Sequence, residues 1–423
     1  MSLFSRSEAS LLLSRLRESV RLMTIVTGPR QVGKTTLVRT ALGKFRYHLY
    51  MAADNPDDER NPFGSTTGET TTFRKQEHNA EWLKNQWLRA RQHAKNDEVL
   101  ASGQPFIFAI DEVQGIPKWS ETVKGLWDAD RAESLPMHVI LLGSSPLLMQ
   151  KGLSESLAGR FEVISLSHWS YTEMREAFNV SLEEYLYFGG YPGASSLIRD
   201  EPRWRRYLKT SLIDPSIKKD VLDMRRVEKP ALLKQLFELS CAYSGQILAF
   251  TKMLGQLQDV GNVTTLAHYL NLLSEAGLAT GLQKYSGHRV PQRASGPKLN
   301  ALNTGLMTAL SGYSYAEALA DRTFWGRLVE SAVGAHLFNT LPSDHRLFYW
   351  RESPHEVDYV LERGNRLLAI EVKSGIVRGH VAGLGQFRDR YSSARTLVVG
   401  EGHLPLVEFL SHPAQHWLES EWP

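Results

Sequence analysis

The apolar positions of the first 170 residues gather into short dense runs: Leu22–Thr27, Tyr47–Ala53, Phe106–Ile110, His138–Leu142 and Phe161–Leu166. Each run has the length and composition of a buried strand. Between them the apolar spacing becomes helical, in Glu81–Ala94 with Trp82 and Trp87, and in Glu121–Asp130. Strands alternating with amphipathic helices predict an α/β domain on a parallel sheet. The polar stretch Asp54–Thr72 is too long and too rich in Gly, Pro and Thr for a regular element. It reads as an exposed loop.

From Glu173 to Gly287 the pattern is mostly helical, broken once by the glycine-rich Phe188–Gly193. Two helices joined by a short polar turn (259–262) and followed by a strand and hairpin (278–287) give the order of a winged helix-turn-helix. After Ser295 the pattern changes again: a helix over Trp325–Phe338, three strands (345–353, 356–362 and 367–374), a helix near Gly383–Tyr391 and a strand at Thr396–Val399. These changes predict three domains, 1–170, 171–295 and 296–423. Three also suits a chain of 423 residues.

Composition narrows the class. With 42% hydrophobic and 22% charged residues the chain is of ordinary globular type, and no apolar run approaches a membrane span. The start, with Arg15, Arg17 and Glu18 breaking a leucine cluster, reads as an amphipathic helix and not as a signal peptide. A single cysteine, Cys241, excludes an internal disulfide and a thiolate metal site, so the expected compartment is the reducing cytoplasm. The 14 histidines show no paired zinc-ligand spacing.

The net charge of +3 implies no partner by itself, but its distribution is uneven. Between Ala276 and Ala316 there is no Asp or Glu, while Lys284, Arg289, Arg293 and Lys298 all fall there. The stretch Arg199–Lys229 carries ten basic against six acidic residues, interleaved with Trp204 and Tyr207. Such zones are expected of phosphate-backbone contact, and DNA is the expected partner.

The strongest chemical signal follows the first strand. Gly28, Pro29, Arg30, Gln31, Val32, Gly33, Lys34 and Thr35 form G-x-x-x-x-G-K-[ST], and Thr36 continues into a helical stretch. The loop wraps backbone N–H groups around the phosphates of ATP, Lys34 reaches the β- and γ-phosphates, and Thr35 holds Mg2+. The strand Phe106–Ile110 ends in Asp111 and Glu112. Asp111 is the expected partner of Mg2+ and Glu112 the expected general base for the attacking water. Ser144, after a third strand, is a candidate γ-phosphate sensor. Arg160, in the turn before the fifth strand, is a candidate for the positive charge that phosphoryl transfer requires.

The motifs GPRQVGKTTL (28–37), FIFAIDEVQ (106–114), ILLGSS (140–145), SLAGRF (156–161), FGGYP (188–192) and YWRE…EVDYV…AIEVKS (349–374) resemble a family of AAA+-like ATPases with a C-terminal DUF4143 domain. The resemblance implies an ATPase core with an extra strand between the Walker motifs and a winged-helix middle. It favours Arg160 as an arginine finger acting on a neighbouring copy, in a homo-oligomer expected to be a hexamer. One departure is Asn303, where relatives commonly carry Asp in K-x-Y-x-x-D-x-G-L, here beginning at Lys298.

Asp358, followed by Glu371 and Lys373 on the next strand, looks like a PD-(D/E)xK nuclease centre. Alternation puts Glu371 and Lys373 on one face, and a hairpin would bring Asp358 to Glu371. The expected metal ligands are Asp358, Glu371 and, from the preceding helix, Glu330, with Mg2+ or alternatively Mn2+ bound and Lys373 acting on the attacking water. The expected function is therefore an ATP-hydrolysing DNA-processing motor coupled to a metal-dependent DNA nuclease. The alternative is an ATP-dependent switch or scaffold that binds DNA or a protein partner and whose nuclease-like domain does not cut.

Overall fold

The computed structural model describes residues 4–54, 78–143, 156–218, 227–257, 262–287, 295–375 and 382–420. Ser144, Arg289, Arg293 and all but the first residue of the Asp54–Thr72 stretch lie outside the described residues. The chain divides into two compact units, Met1–Leu166 and Ser167–Pro423.

In the first unit five strands form one parallel sheet: β1 (Met23–Thr27), β2 (His48–Ala52), β3 (Phe106–Asp111), β4 (Met137–Gly143) and β5 (Phe161–Ser165), in the order β2-β3-β4-β1-β5. The strand β4 stands between β1, which feeds the P-loop, and β3, which ends in Asp111. β1, β3 and β4 are buried at every position because helices cover both faces of the sheet. One face packs Met23, Phe106, Phe108 and Ile110 against Trp87 of the helix Ala80–Ala94 and Trp127 of the helix Trp119–Ala132. The other packs Val26, Ile107, Ile140 and Ile164 against Leu12, Leu37 and Val38 of the helices Ser7–Arg17 and Lys34–Leu42. The predicted runs thus correspond to strands, with ends shifted by a residue.

The second unit is built differently. Its six-stranded sheet is mixed, with order β11-β10-β9-β8-β6-β7. These are β6 (Ala279–Lys284), β7 (Lys298–Ala301), β8 (Arg346–Glu352), β9 (His355–Arg363), β10 (Arg366–Lys373) and β11 (Arg395–Gly400). The helices Pro230–Ala242, Phe250–Leu254 and Val263–Glu275 precede the antiparallel pair β6–β7, and Ile247 bridges to Lys298. Of the expected winged helix the helices are present, but 278–287 holds only the strand β6, whose antiparallel partner β7 lies beyond it at 298–301. This pair is not the end of a separate domain, because β6 also pairs with β8. The boundary expected at 295 falls inside this sheet, so the split into 171–295 and 296–423 does not describe the structure. Local sequence reports where each strand lies, whereas which strands pair is decided by contacts some 60 residues apart.

The helix Arg322–Asn339 covers one face of this sheet through Val329, Val333 and Leu337, against Tyr349, Tyr359, Leu368 and Ile370. Phe387, on the helix Ala382–Arg390, covers the other face with Trp350, Val360 and Ala369. Asn303 serves local structure: its Oδ1 caps the helix Thr304–Ser311 through the Gly305 N–H at 3.1 Å and takes the Gly190 N–H at 3.3 Å.

Candidate functional site

The loop between β1 and the helix Lys34–Leu42 is held in a shape that needs its glycines. Gly33 is the N-cap residue with φ of 94°, in the left-handed region that side chains avoid. Gly28 has φ of 152°, and a Cβ there would strike the Leu166 carbonyl oxygen. Val32 anchors the loop in the core, while Thr36 is exposed. The buried Lys34 donates from Nζ to the carbonyls of Gly28 (2.9 Å) and Pro29 (2.8 Å).

Across the sheet, Asp111 meets this helix. The Thr35 hydroxyl donates to Asp111 Oδ2 at 2.6 Å, and the Glu112 N–H donates to Oδ1 at 2.9 Å. A hydroxyl and a carboxylate are oxygen donors suited to a hard cation, so Thr35 and Asp111 fit Mg2+. Glu112 has a left-handed backbone, φ 53° and ψ 34°, a strained conformation for a non-glycine residue. Its carboxylate accepts from the Gln114 side-chain amide.

Two contributors were not legible from motifs. Tyr50 on β2 donates its hydroxyl to the same Asp111 Oδ2 at 2.5 Å. Burial, then the Asp111 charge, pushes the Tyr50 phenol well up, so it stays a hydrogen-bond donor at any ordinary pH. The second is Asp128. Arg160 Nε and Nη2 donate to its two carboxylate oxygens at 2.7 and 3.0 Å, a bidentate pair inside the first unit. Arg160 is thus held by its own unit and not directed at its own P-loop by any described contact.

The second cluster lies in the other unit. The antiparallel register of β9 and β10 runs from Arg366 opposite Arg363 to Ile370 opposite Tyr359, which sets Asp358 beside Glu371. Asp358 Oδ2 accepts the Val372 N–H at 2.9 Å, and Lys373 Nζ donates to Glu371 Oε1 at 2.6 Å. The predicted residues are therefore brought together. Between them, however, stands Lys298. Its Nζ donates to Glu330 Oε1 at 2.5 Å, Asp358 Oδ1 at 2.9 Å and the Asp358 carbonyl at 3.3 Å, and lies 4.8 Å from the Tyr359 ring centre.

The side chain of Lys298 is 0% exposed, so it is no part of a basic surface, contrary to its placement in the basic stretch. Burial opposes its charged form, but attraction to Asp358, Tyr359 and Glu330 outweighs this and drives the ammonium upward overall. Burial, then the Asp358 charge, pushes Glu330 and Glu371 up to about 7 each. Glu371 Oε2 is buried and lacks a hydrogen-bond partner.

These groups do not fit a divalent metal as expected. Among the described residues no group of three or more His, Cys, Asp and Glu side chains could hold one. A dication 4 Å from a buried ammonium would be repelled by about 8 kcal/mol, taking roughly 4 kcal/mol per unit-charge pair at an effective dielectric of 20.

Three family models match successive parts of the chain. Residues 20–175 match the model of an AAA domain, AAA_14. Residues 179–317 match a domain of unknown function, DUF8612, and 325–407 another, DUF4143. The first unit thus carries an AAA-type P-loop ATPase domain. Uncharacterised proteins of Mycobacterium tuberculosis and Mycobacterium bovis are each 26% identical over 366 residues, covering 85% of this chain and 72% of theirs. The Walker-type ATPase of Pyrococcus abyssi has a solved structure with 18% identity and a TM-score of 0.48, over 73% of this chain and 96% of that one. No helix among the described residues is long and apolar enough to cross a membrane.

Proposed function

We propose that this chain is an ATP-hydrolysing switch that assembles into a homo-oligomer, as a hexamer, and engages DNA in the cytoplasm. The observation that carries the reading is the Thr35–Asp111 contact beside a glycine-shaped loop and Lys34. On nucleotide binding, Lys34 exchanges two carbonyls for phosphate oxygens, and the Lys34–Leu42 helix N-terminus faces the same anion. Mg2+, when bound at Thr35 and Asp111, supplies positive charge to the phosphates. Glu112 takes the proton of the attacking water. Arg160 leaves Asp128 and serves the site of a neighbouring copy.

DNA engagement is supported by the acid-free run 276–316, with Lys284 described and Arg289 and Arg293 beside it in sequence. For the second unit two readings compete. The hairpin bearing Asp358, Glu371 and Lys373 supports a Mg2+- or Mn2+-dependent nuclease. The contacts of Lys298 favour the non-cutting reading, which we adopt. The test is incubation with linear, single-stranded and branched DNA, with Mg2+ or Mn2+ and with or without ATP. Salt-sensitive DNA binding, DNA-stimulated ATP turnover and intact DNA are expected. Cleavage lost in Asp358→Ala would restore the nuclease reading, and absence of all DNA binding would remove the DNA partner.

A further inference from the structure

We infer that Lys298 is the resident cation of the second unit's acidic cluster, so that this site excludes divalent metal until the ammonium is removed. An ammonium has three N–H donors. All three are placed by the structure, on Glu330 Oε1, Asp358 Oδ1 and the Asp358 carbonyl oxygen. Lys298 therefore already gives a positive charge to two of the three carboxylates expected to hold a metal, and Lys373 pairs with the third. The Tyr359 ring shields the same ammonium on a further side.

The position of Lys298 is fixed from several directions. It opens β7, which pairs with β6, and it bridges to Ile247. Glu330 comes from the helix packed on the sheet, and Asp358 from β9. The side chain has no exposed surface to swing into, unlike Lys373, which is 30% exposed. Glu371 Oε2 is buried and without a hydrogen-bond partner. With Lys298 replaced by an apolar side chain, Glu330 and Asp358 lose their shared cation beside Glu371, which keeps Lys373. Carboxylate oxygens are the donor chemistry of a hard divalent ion.

The inference concerns the second unit alone and stands whether or not the chain hydrolyses ATP or touches DNA. It is tested by counting Mn2+ bound to the full chain by electron paramagnetic resonance, without nucleotide. The background is Asp111→Asn, which removes the acidic metal ligand of the P-loop. The Lys298-intact chain is expected to bind no Mn2+ at millimolar concentration, and Lys298→Met to gain about one ion per chain. Adding Asp358→Asn to Lys298→Met should abolish the gain. One Mn2+ bound by the Lys298-intact chain and lost in Asp358→Asn would overturn the inference, as would a folded Lys298→Met chain that binds none. If Lys298→Met does not fold, the Mn2+ count of the Lys298-intact chain still decides.

Discussion

Each unit sets a buried lysine near acidic side chains, Lys34 near Asp111 at the end of β3 and Lys298 beside Asp358 within β9, and the two lysines are held in opposite ways. Lys34 rests on two neutral carbonyls of its own loop, while the nearby Asp111 is occupied by hydroxyls from Thr35 and Tyr50. Neutral partners are exchanged at small cost, so a phosphate can take this lysine. Lys298 rests between two carboxylates, and the Asp358 carbonyl takes its third N–H. Its charge is already spent on the protein. Hydrogen bonds to neutral carbonyls are released to an anion more readily than those to carboxylates.

If that contrast holds, the largest effect of a single side chain on rate belongs to the first unit. Glu112→Gln keeps the shape and removes the base, so ATP turnover should fall by about 10²–10⁴-fold while nucleotide binding persists. Lys34→Ala should lose tight ATP binding as well. Steady-state hydrolysis and nucleotide titration separate the two, and normal turnover in Glu112→Gln would dismiss Glu112 as the base.

The converse prediction concerns stability. Removing one partner of a buried ion cluster costs about 3–5 kcal/mol, whereas losing hydrogen bonds to loop carbonyls costs about 1 kcal/mol. Lys298→Met should accordingly destabilise the second unit far more than Lys34→Met destabilises the first. Hydrogen exchange across β7 and β9, compared with β1, reads the difference. Equal effects would erase the distinction between the clusters.

The second cluster also has a pH signature. Glu330, Asp358 and Glu371, with Glu356 close enough to feel Asp358 and Lys298, share the ammoniums of Lys298 and Lys373, and burial with the Asp358 charge raises Glu330 and Glu371 to about 7 each. A carboxyl raised on folding adds stability that is complete below its ordinary value of 4.5 and is lost as pH rises through about 7. Glu371→Gln imitates the neutral form. Relative to wild type it should gain stability between pH 5 and pH 8, by up to about 3 kcal/mol. Denaturant melts at the two pH values measure this, and a gap that does not grow with pH would refute the charge count.

Much of the first unit was legible in the sequence because its chemistry is written locally. The P-loop spans eight consecutive residues after an apolar strand, and Asp111 directly follows another. What was missed is non-local: Tyr50 meets Asp111 across 61 residues, Arg160 meets Asp128 across 32, and Lys298 meets Asp358 across 60. Lys298 stood in view as the first residue of a motif and as a member of a basic run. Charge counting assigned it to the surface because sequence does not show that β7 is buried at every position. The same blindness placed a domain boundary at 295, between two strands of one sheet.

A smaller effect is expected at Tyr50. Asp111 Oδ2 accepts two hydroxyls, so Tyr50→Phe removes one bond of about 1 kcal/mol and leaves Thr35 in place. ATP turnover should fall by about five- to tenfold with the ATP KM little changed, and the Mg2+ requirement should rise. An altered KM with unchanged kcat would instead make Tyr50 a nucleotide contact.

The smallest effect should come from Asp128, and its sign is informative. Arg160 is anchored by Asp128, a partly exposed pair of the kind that contributes little to stability. If Arg160 serves a neighbouring copy, that pair must open before each productive contact, and Asp128 competes with the phosphate for the same guanidinium. Asp128→Asn should then raise ATP turnover about two- to threefold at low protein concentration, with little change in melting temperature. Mixing Arg160→Ala with Lys34→Ala subunits should restore part of the activity, since some interfaces then pair an intact loop with an intact arginine. Were Asp128→Asn to lower turnover as far as Arg160→Ala does, Asp128 would be positioning the arginine and not competing for it. Arg160 would then act from within its ion pair.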